Sequence, residues 1–521
     1  MKLGIAARPH TSGNLAQLEL LNIERFGVYT RLHFEDRSYT NLEELRYAGS
    51  LARLLREYSV GTGDRVVVMM PNSPELTAAF PAIWTIGATI VPVIPQWTSG
   101  EVADVLRNSE ATVALTVPSL ANRMDEARLA TGSLRRLLVF GESDISEATN
   151  IAPLLKDIPP LETPVDRSPS DMAILLYTSG TTGTPKGVML THENFLAGLA
   201  AAFRQNPEMD PGTLLHTLPL THVYGVLVQS LANGWGLSRV LLRQFEPRRA
   251  FEAIEQHRVR YFPVVPTMLV YLLNHPERER YNTSSLFRIT SGGAALPEKL
   301  RQDTERIFGC RVDQGYGLSE SSSVATGYEI RAPYRPGSVG RASPGIEICI
   351  VDDQNRTLPP YRVGEICLAG ANITVGYWRD PTATSQALSG GWLRTGDVGY
   401  LDEEGFLFIT DRKKDLIIKG GENISPREIE EALYLHPDVA EAAVVGIPDP
   451  VFGEEVCAVV QLRASAHVSE DEIRGHVAKY VTKFKLPARI VFVPLLPKNS
   501  NGKIVKRDVR AQLAASYSVS S

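Results

Sequence analysis

Cysteine is scarce: the 521 residues hold four, Cys310, Cys349, Cys367 and Cys457. None forms a Cys-x-x-Cys pair or stands beside a candidate histidine ligand, which argues against a disulfide framework or a zinc site. They read as small core residues in a reducing compartment. An excess of charge of one sign is missing too. Net charge is −5, so the chain as a whole carries no basic footprint for nucleic acid. No long apolar run is uninterrupted. The longest, Ala78 to Pro95, approaches bilayer length, but Pro81, Pro92 and Pro95 punctuate it and Gly87 divides it. It reads as a helix feeding a buried strand, not as a membrane span. Met1 to His10 lacks the apolar core of a secretory signal. Internal repeats and low-complexity segments are absent. These absences point to a cytoplasmic chain without a transmembrane segment; peripheral membrane association stays open.

What is present is ordinary globular composition, 43% hydrophobic and 22% charged. The length is too great for one core, so two or more domains are expected. Apolar positions recur with helical period from Leu42 to Leu55. Arg65 to Met70 reads as a buried strand, and strands and helices alternate from there. Such alternation implies α/β architecture, a mostly parallel sheet with helices on its faces. Residues 141–170 lack a period and read as loop. Thr191 is an expected N-cap for a helix running to about Arg204. From Gly337 to Thr410 the pattern changes to short strands broken by Gly and Pro, a small β-rich subdomain. Asp411-Arg412-Lys413-Lys414-Asp415 is a run of charge between two apolar strands. Beyond it lies enough chain for a separate α+β domain. The expected division is 1–411 and 412–521.

The most informative stretch is Tyr177-Thr178-Ser179-Gly180-Thr181-Thr182-Gly183-Thr184-Pro185-Lys186-Gly187-Val188. It follows an apolar run that reads as a strand. Glycine lets amide N–H groups approach a ligand closely. Hydroxyls donate hydrogen bonds, and Lys186 adds a compact positive charge. The combination suits polyphosphate oxygens. It is not a Walker A loop, because Pro185 and Gly187 flank the lysine where that pattern needs Gly and Ser/Thr.

This loop resembles the phosphate-binding signature of adenylate-forming enzymes: acyl-CoA synthetases, luciferases and peptide-synthetase adenylation domains. Four further stretches follow in family order. Gly315-Tyr316-Gly317-Leu318-Ser319-Glu320 resembles the Tyr-Gly-x-Thr-Glu motif, with Ser319 keeping the hydroxyl. Gly293-Ala294-Ala295 precedes it. Trp392-Leu393-Arg394-Thr395-Gly396-Asp397 and the later Leu496-Pro497-Lys498-Asn499-Ser500-Asn501-Gly502-Lys503 are the others.

The resemblance implies ATP, Mg2+ and CoA as cofactors and a small carboxylic acid as substrate. It implies a large multi-sheet N-terminal domain and a mobile C-terminal one. Thr178 to Lys186 would hold the β- and γ-phosphates, with Thr178 and Glu320 at the magnesium site; magnesium suits one or two carboxylates plus phosphate oxygens. Gly293, Ala294, Ala295, Gln314, Gly315 and Tyr316 would flank adenine. Asp397 and Arg412 would contact ribose, a carboxylate being a natural acceptor for a diol. Lys503 would reach the α-phosphate. Lys414 would be the hinge on which the C-terminal domain turns. Gly420, Gly421 and Glu422 would then line the CoA path.

For the acid, Thr221-His222-Val223-Tyr224-Gly225 lacks the Asp with which amino-acid-activating relatives pair a substrate amine. His222 resembles the residue at the carboxylate end of the acyl pocket in acyl- and aryl-CoA ligases. Tyr224, Gly225, Val264, Val265, Pro266, Thr267 and Gly292 would complete that pocket. Apolar walls without an ionic partner favour a fatty acid. The alternatives are an aryl or hydroxycinnamate-type CoA ligase, and an acyl-AMP ligase loading a carrier protein. A homodimer stays open.

Overall fold

The computed structural model describes residues 13–178, 185–207, 209–463, 466–499 and 502–518. Ser179, Gly180, Thr181, Thr182 and Gly183 of the phosphate loop lie outside the described residues.

Two large twisted sheets dominate the N-terminal part, and their central strands are parallel. The first has eight strands. At its centre lie Thr89–Pro92, Arg65–Met69 and Val113–Thr116, which are buried on both faces, as the continuous β-branched runs require. Met172–Thr178 and Lys186–Thr191 continue it as an antiparallel pair, and Gly376–Tyr377 closes that edge. At the other edge Ala148–Asn150 pairs parallel to Arg136–Val139. That corrects the reading of 141–170 as loop. The strand is three half-buried residues long and leaves no alternating pattern to detect.

The second sheet has seven strands, with Val259–Val264, Arg288–Ser291 and Arg311–Gln314 side by side and parallel. Helices Asn41–Glu57, Pro74–Thr85, His192–Gln205 and Val223–Trp235 contribute to one apolar core that spans both halves. Their starts follow from the sequence. Thr40 and Thr191 each accept from the backbone N–H three residues on, while Glu43 and Asn194 return the bond. Pro81 lies inside its helix and cannot bond the Thr77 carbonyl. Gln229 Nε2 donates to that carbonyl instead, at 3.5 Å, tying two of the helices together.

The β-rich subdomain is as expected: Ile346–Val351, Gly364–Gly370, Trp392–Leu401 and Leu407–Arg412 form an antiparallel sheet. Its last strand runs through Arg412, and the next sheet begins at Ile417. That C-terminal sheet carries helices Pro426–Tyr434 and Glu470–Val477 over one core and Lys506–Ser518 over another. The fold is α/β, with several sheets in the large N-terminal domain and an α+β C-terminal domain. Among the described residues no helix is long and apolar enough to cross a membrane.

Candidate active site

The strand ends of the two large sheets and the C-terminal turn converge on two adjoining cavities. The larger, about 880 Å³, is lined at one end by Thr178, Lys186, Ser319, Glu320 and Tyr377. The smaller, about 240 Å³, is lined by Gly293, Ala294, Ala295, Asp397 and Lys503. Gln314, Gly315, Tyr316, Gly317 and Arg412 border both.

The stretch around Gly293 and Gln314, which borders both cavities, is built from the carboxyl ends of parallel strands, where open α/β sheets place ligands. Gly293 follows strand Arg288–Ser291 with φ +77°, a left-handed turn that favours glycine. Gln314 ends the neighbouring strand, and its Nε2 donates to the Ala294 carbonyl at 3.2 Å. Gly317 allows a close approach: a Cβ there would lie 2.3 Å from the Ser323 backbone.

Tyr316 Oη donates to Asp397 Oδ2 at 2.6 Å, and Arg412 Nε lies 2.9 Å from Oδ1. Burial and the Asp397 carboxylate raise the Tyr316 phenol well above its ordinary range, so it stays a donor. Burial works against the Arg412 charge, and Asp397 together with Tyr316, Asp415 and Glu320 more than offsets it, so its guanidinium is raised above the ordinary range. Asp397 and Arg412 face each other in register across paired strands. The acid and the base of this group are therefore set by sheet geometry and not by a loop.

Lys503 comes from the C-terminal domain. Its turn rests on the N-terminal domain through Thr267, whose Oγ1 donates to the Gly502 carbonyl at 2.5 Å. Lys498 Nζ bonds Glu441 Oε2 at 2.5 Å and Tyr271 Oη at 3.2 Å. Glu431 Oε2 accepts from the backbone N–H of Glu298 at 3.3 Å, at the first residue of helix Glu298–Phe308, where a carboxylate is favoured. In this setting burial and the nearby Arg412 lower the Lys503 amine to about 8, against the opposing pull of Asp397 and Asp415. Lys414 is lowered too, by burial and by Arg412. It sits in the turn just after strand Leu407–Arg412.

The large cavity continues past His222 into a deep chamber. His222 precedes helix Val223–Trp235. Burial lowers its imidazole to about 4, so it is neutral near pH 7. Tyr224, Leu227, Val228, Leu231 and Trp235 form one wall at helical spacing. Phe262 and Gly292 line the chamber too. A side chain at 292 would press on the Tyr224 ring at 3.1 Å, so glycine keeps this wall open. Arg288 and Asp313, paired at 2.6 Å, line the chamber as well.

Several expected pocket residues lie elsewhere. Gly225 packs against Pro219, whose carbonyl oxygen would be 2.2 Å from an added Cβ; its glycine serves helix–loop packing. Pro266 and Thr267 open a helix and line the smaller cavity beside Lys503, because the helix turns their side chains away from the chamber. Val264 and Val265 are buried in the core of the second sheet. Gly420 and Gly421, with φ +57° and +85°, make a hairpin turn ending at Glu422 and line neither cavity. Sequence reasoning missed the helix face and Tyr377. A 3–4 periodicity among apolar residues after His222 was the available signal for the first.

Known proteins share this architecture. A model of the AMP-binding enzyme family matches residues 22–378, and one of the AMP-binding enzyme C-terminal domain matches 428–503. A long-chain-fatty-acid–CoA ligase of Bacillus subtilis is 35% identical over 512 residues, covering 93% of this chain and 91% of its own. The 2-succinylbenzoate–CoA ligase of Geobacillus kaustophilus is 34% identical, over 91% and 93% of the two chains. The solved structure of the anthranilate CoA ligase AuaEII with anthranoyl-AMP matches with a TM-score of 0.91 at 25% identity, over 99% and 100%. The chain belongs to the AMP-binding enzymes, the adenylate-forming superfamily. Within it, the protein is an acid–thiol ligase, joining a carboxylic acid to CoA by way of an adenylate.

Proposed function

We propose that the acid is a fatty acid: ATP converts it to an acyl-adenylate with release of pyrophosphate, and CoA takes the acyl group with release of AMP. One observation carries this reading. A single continuous cavity joins Lys186 and Glu320 to the apolar wall of helix Val223–Trp235. Trp235 lies eleven positions beyond Tyr224, which is about 16 Å of wall at the helical rise. That length suits an extended aliphatic chain more than a single ring. The 35% identity to the Bacillus subtilis ligase supports it.

The chemistry is an attack by one anion on another. Positioning and charge stabilisation therefore supply most of the catalysis. In this reading Thr178 and Lys186 take the β- and γ-phosphates at the exit of the loop. Glu320 and Thr178 would hold magnesium. One carboxylate and one hydroxyl in the same cavity, completed by phosphate oxygens, is a donor set that suits this ion; bound there it would offset phosphate charge. Tyr316 stacks on adenine, and Asp397 accepts from the ribose hydroxyls with Arg412 beside it. His222, neutral, stands at the carboxylate end of the chamber without repelling or neutralising the acid. Lys503 reaches the α-phosphate. Lys414 is the hinge, and rotation about it brings Gly420, Gly421 and Glu422 to the thiol path.

The test is acid-dependent exchange of pyrophosphate into ATP across saturated fatty acids of increasing length and across benzoate- and cinnamate-type acids, with free CoA as acceptor in a second arm. Medium and long aliphatic acids should give the highest kcat/KM. A preference for aryl acids, or failure of CoA where a carrier-protein thiol succeeds, would overturn the assignment.

A further inference from the structure

Strand Gly376–Tyr377 is only two residues long, yet it is fastened on every side. It pairs with Met189 and Val188 on the strand that leaves the phosphate loop. The backbone N–H of Trp378 donates to the Gly187 carbonyl at 2.7 Å, and Trp378 Nε1 donates to the Asn108 carbonyl at 3.0 Å. Thr374 Oγ1 donates to the Met189 carbonyl at 2.5 Å, while the Thr374 N–H donates to the Glu320 carbonyl at 2.7 Å. The segment thus grips both the loop's exit strand and the turn that carries Glu320. Its side chain does the same. Tyr377 Oη donates to Glu320 Oε1 at 2.8 Å, and Lys186 Nζ lies over the Tyr377 ring at 5.5 Å from its centroid.

We propose that Tyr377 is a positioning residue of the nucleotide–metal site: its hydroxyl orients the Glu320 carboxylate and its ring seats the Lys186 ammonium. This rests on the proposed reading of Glu320 and Lys186. The two functions sit at opposite ends of one rigid group. A hydrogen bond to one carboxylate oxygen fixes the rotation of the group and leaves the other oxygen turned toward the cavity. Partners of this kind orient a ligand for its metal. A lysine on an aromatic face keeps its charge while losing freedom. Tyr377 thereby fixes the spacing between an anion and a cation that a triphosphate must bridge.

Two variants separate the two ends. Tyr377→Phe removes the hydroxyl and keeps the ring; Tyr377→Leu removes both. Binding is read without turnover: Mn2+ binding in the presence of ATP by electron paramagnetic resonance, and ATP binding by calorimetry at saturating Mg2+, with thermal melts to confirm folding. Tyr377→Phe should weaken Mn2+ about tenfold and leave ATP affinity at saturating metal within twofold. Tyr377→Leu should weaken both. Unchanged Mn2+ affinity in folded Tyr377→Phe, or equal losses in the two variants, overturns the proposal. Failure of the wild-type protein to bind metal and ATP together would instead overturn the reading of the site on which it stands.

Discussion

Lys503→Ala removes the ammonium that the C-terminal turn brings over the nucleoside clamp. Burial and Arg412 lower this amine from the ordinary 10.5 to about 8, which disfavours its charge by about 3 kcal/mol in the empty site. An arriving α-phosphate relieves that cost, so the interaction is strongest where negative charge gathers. One placed charge donor in such a site contributes roughly 2.7–4 kcal/mol to the transition state, about 10²–10³ in rate. The turn itself should survive. The Asn499 N–H donates to the Lys503 carbonyl and the Lys503 N–H to Asn499 Oδ1, both at 2.9 Å, and alanine keeps those backbone groups. The assay has two arms: acid-dependent exchange of pyrophosphate into ATP, and conversion of supplied acyl-adenylate and CoA to thioester. Exchange should fall by about 10²–10³, with thioester formation little changed. Equal loss in both arms would refute the assignment of Lys503 to the first step. The pH profile is a second check. The charged amine is the working form, and kcat/KM reports the free enzyme. For the wild type, kcat/KM for ATP should therefore decline above about pH 8, as Lys503 loses its proton. The same decline persisting in Lys503→Ala would assign it to another group.

Two further substitutions address the proposed hinge and the proposed ribose contact. Among the described residues no backbone hydrogen bond from the N–H of Lys414 holds its turn, which is closed by the N–H groups of Asp415 and Leu416 donating to the Arg412 carbonyl. Lys414→Pro therefore removes no hydrogen bond from this turn, while fixing φ at 414 and restricting Lys413. Pyrophosphate exchange should persist and thioester formation should drop at least tenfold; unchanged thioester formation counts against a pivot there. Asp397→Asn leaves Arg412 without its anion and weakens the bond from Tyr316. Arg412 is partly exposed, so the loss of stability should be about 1–2 kcal/mol, read by urea denaturation. Calorimetry should show weaker ATP binding, and wild-type affinity would remove Asp397 from the ribose contact.

Local motifs by themselves determined the family and the strand–helix alternation, and they named the candidate nucleotide-site residues. These features were legible because most of the candidate residues sit in short runs at or just after a strand end, where backbone geometry and neighbours in sequence define them. Thr178, Gly293, Gln314 and Tyr316 are of this kind, whereas Asp397 lies within strand Trp392–Leu401, opposite Arg412. Three things waited for the tertiary structure. Tyr377 meets Glu320 across 57 residues, and Thr267 meets Gly502 across 235; only the docking of one sheet or domain on another decides such pairs. One wall of the large cavity is a face of helix Val223–Trp235, and which face lines the cavity depends on what packs behind it. The charged residues Arg31, Glu19, Glu44 and Arg239 form a buried network that no local pattern announces, with Arg31 2.5 Å from Glu19 and 2.6 Å from Glu44. A charge can be buried only with its partner in place, and that partner is chosen by the packing of strands and helices far apart in the chain.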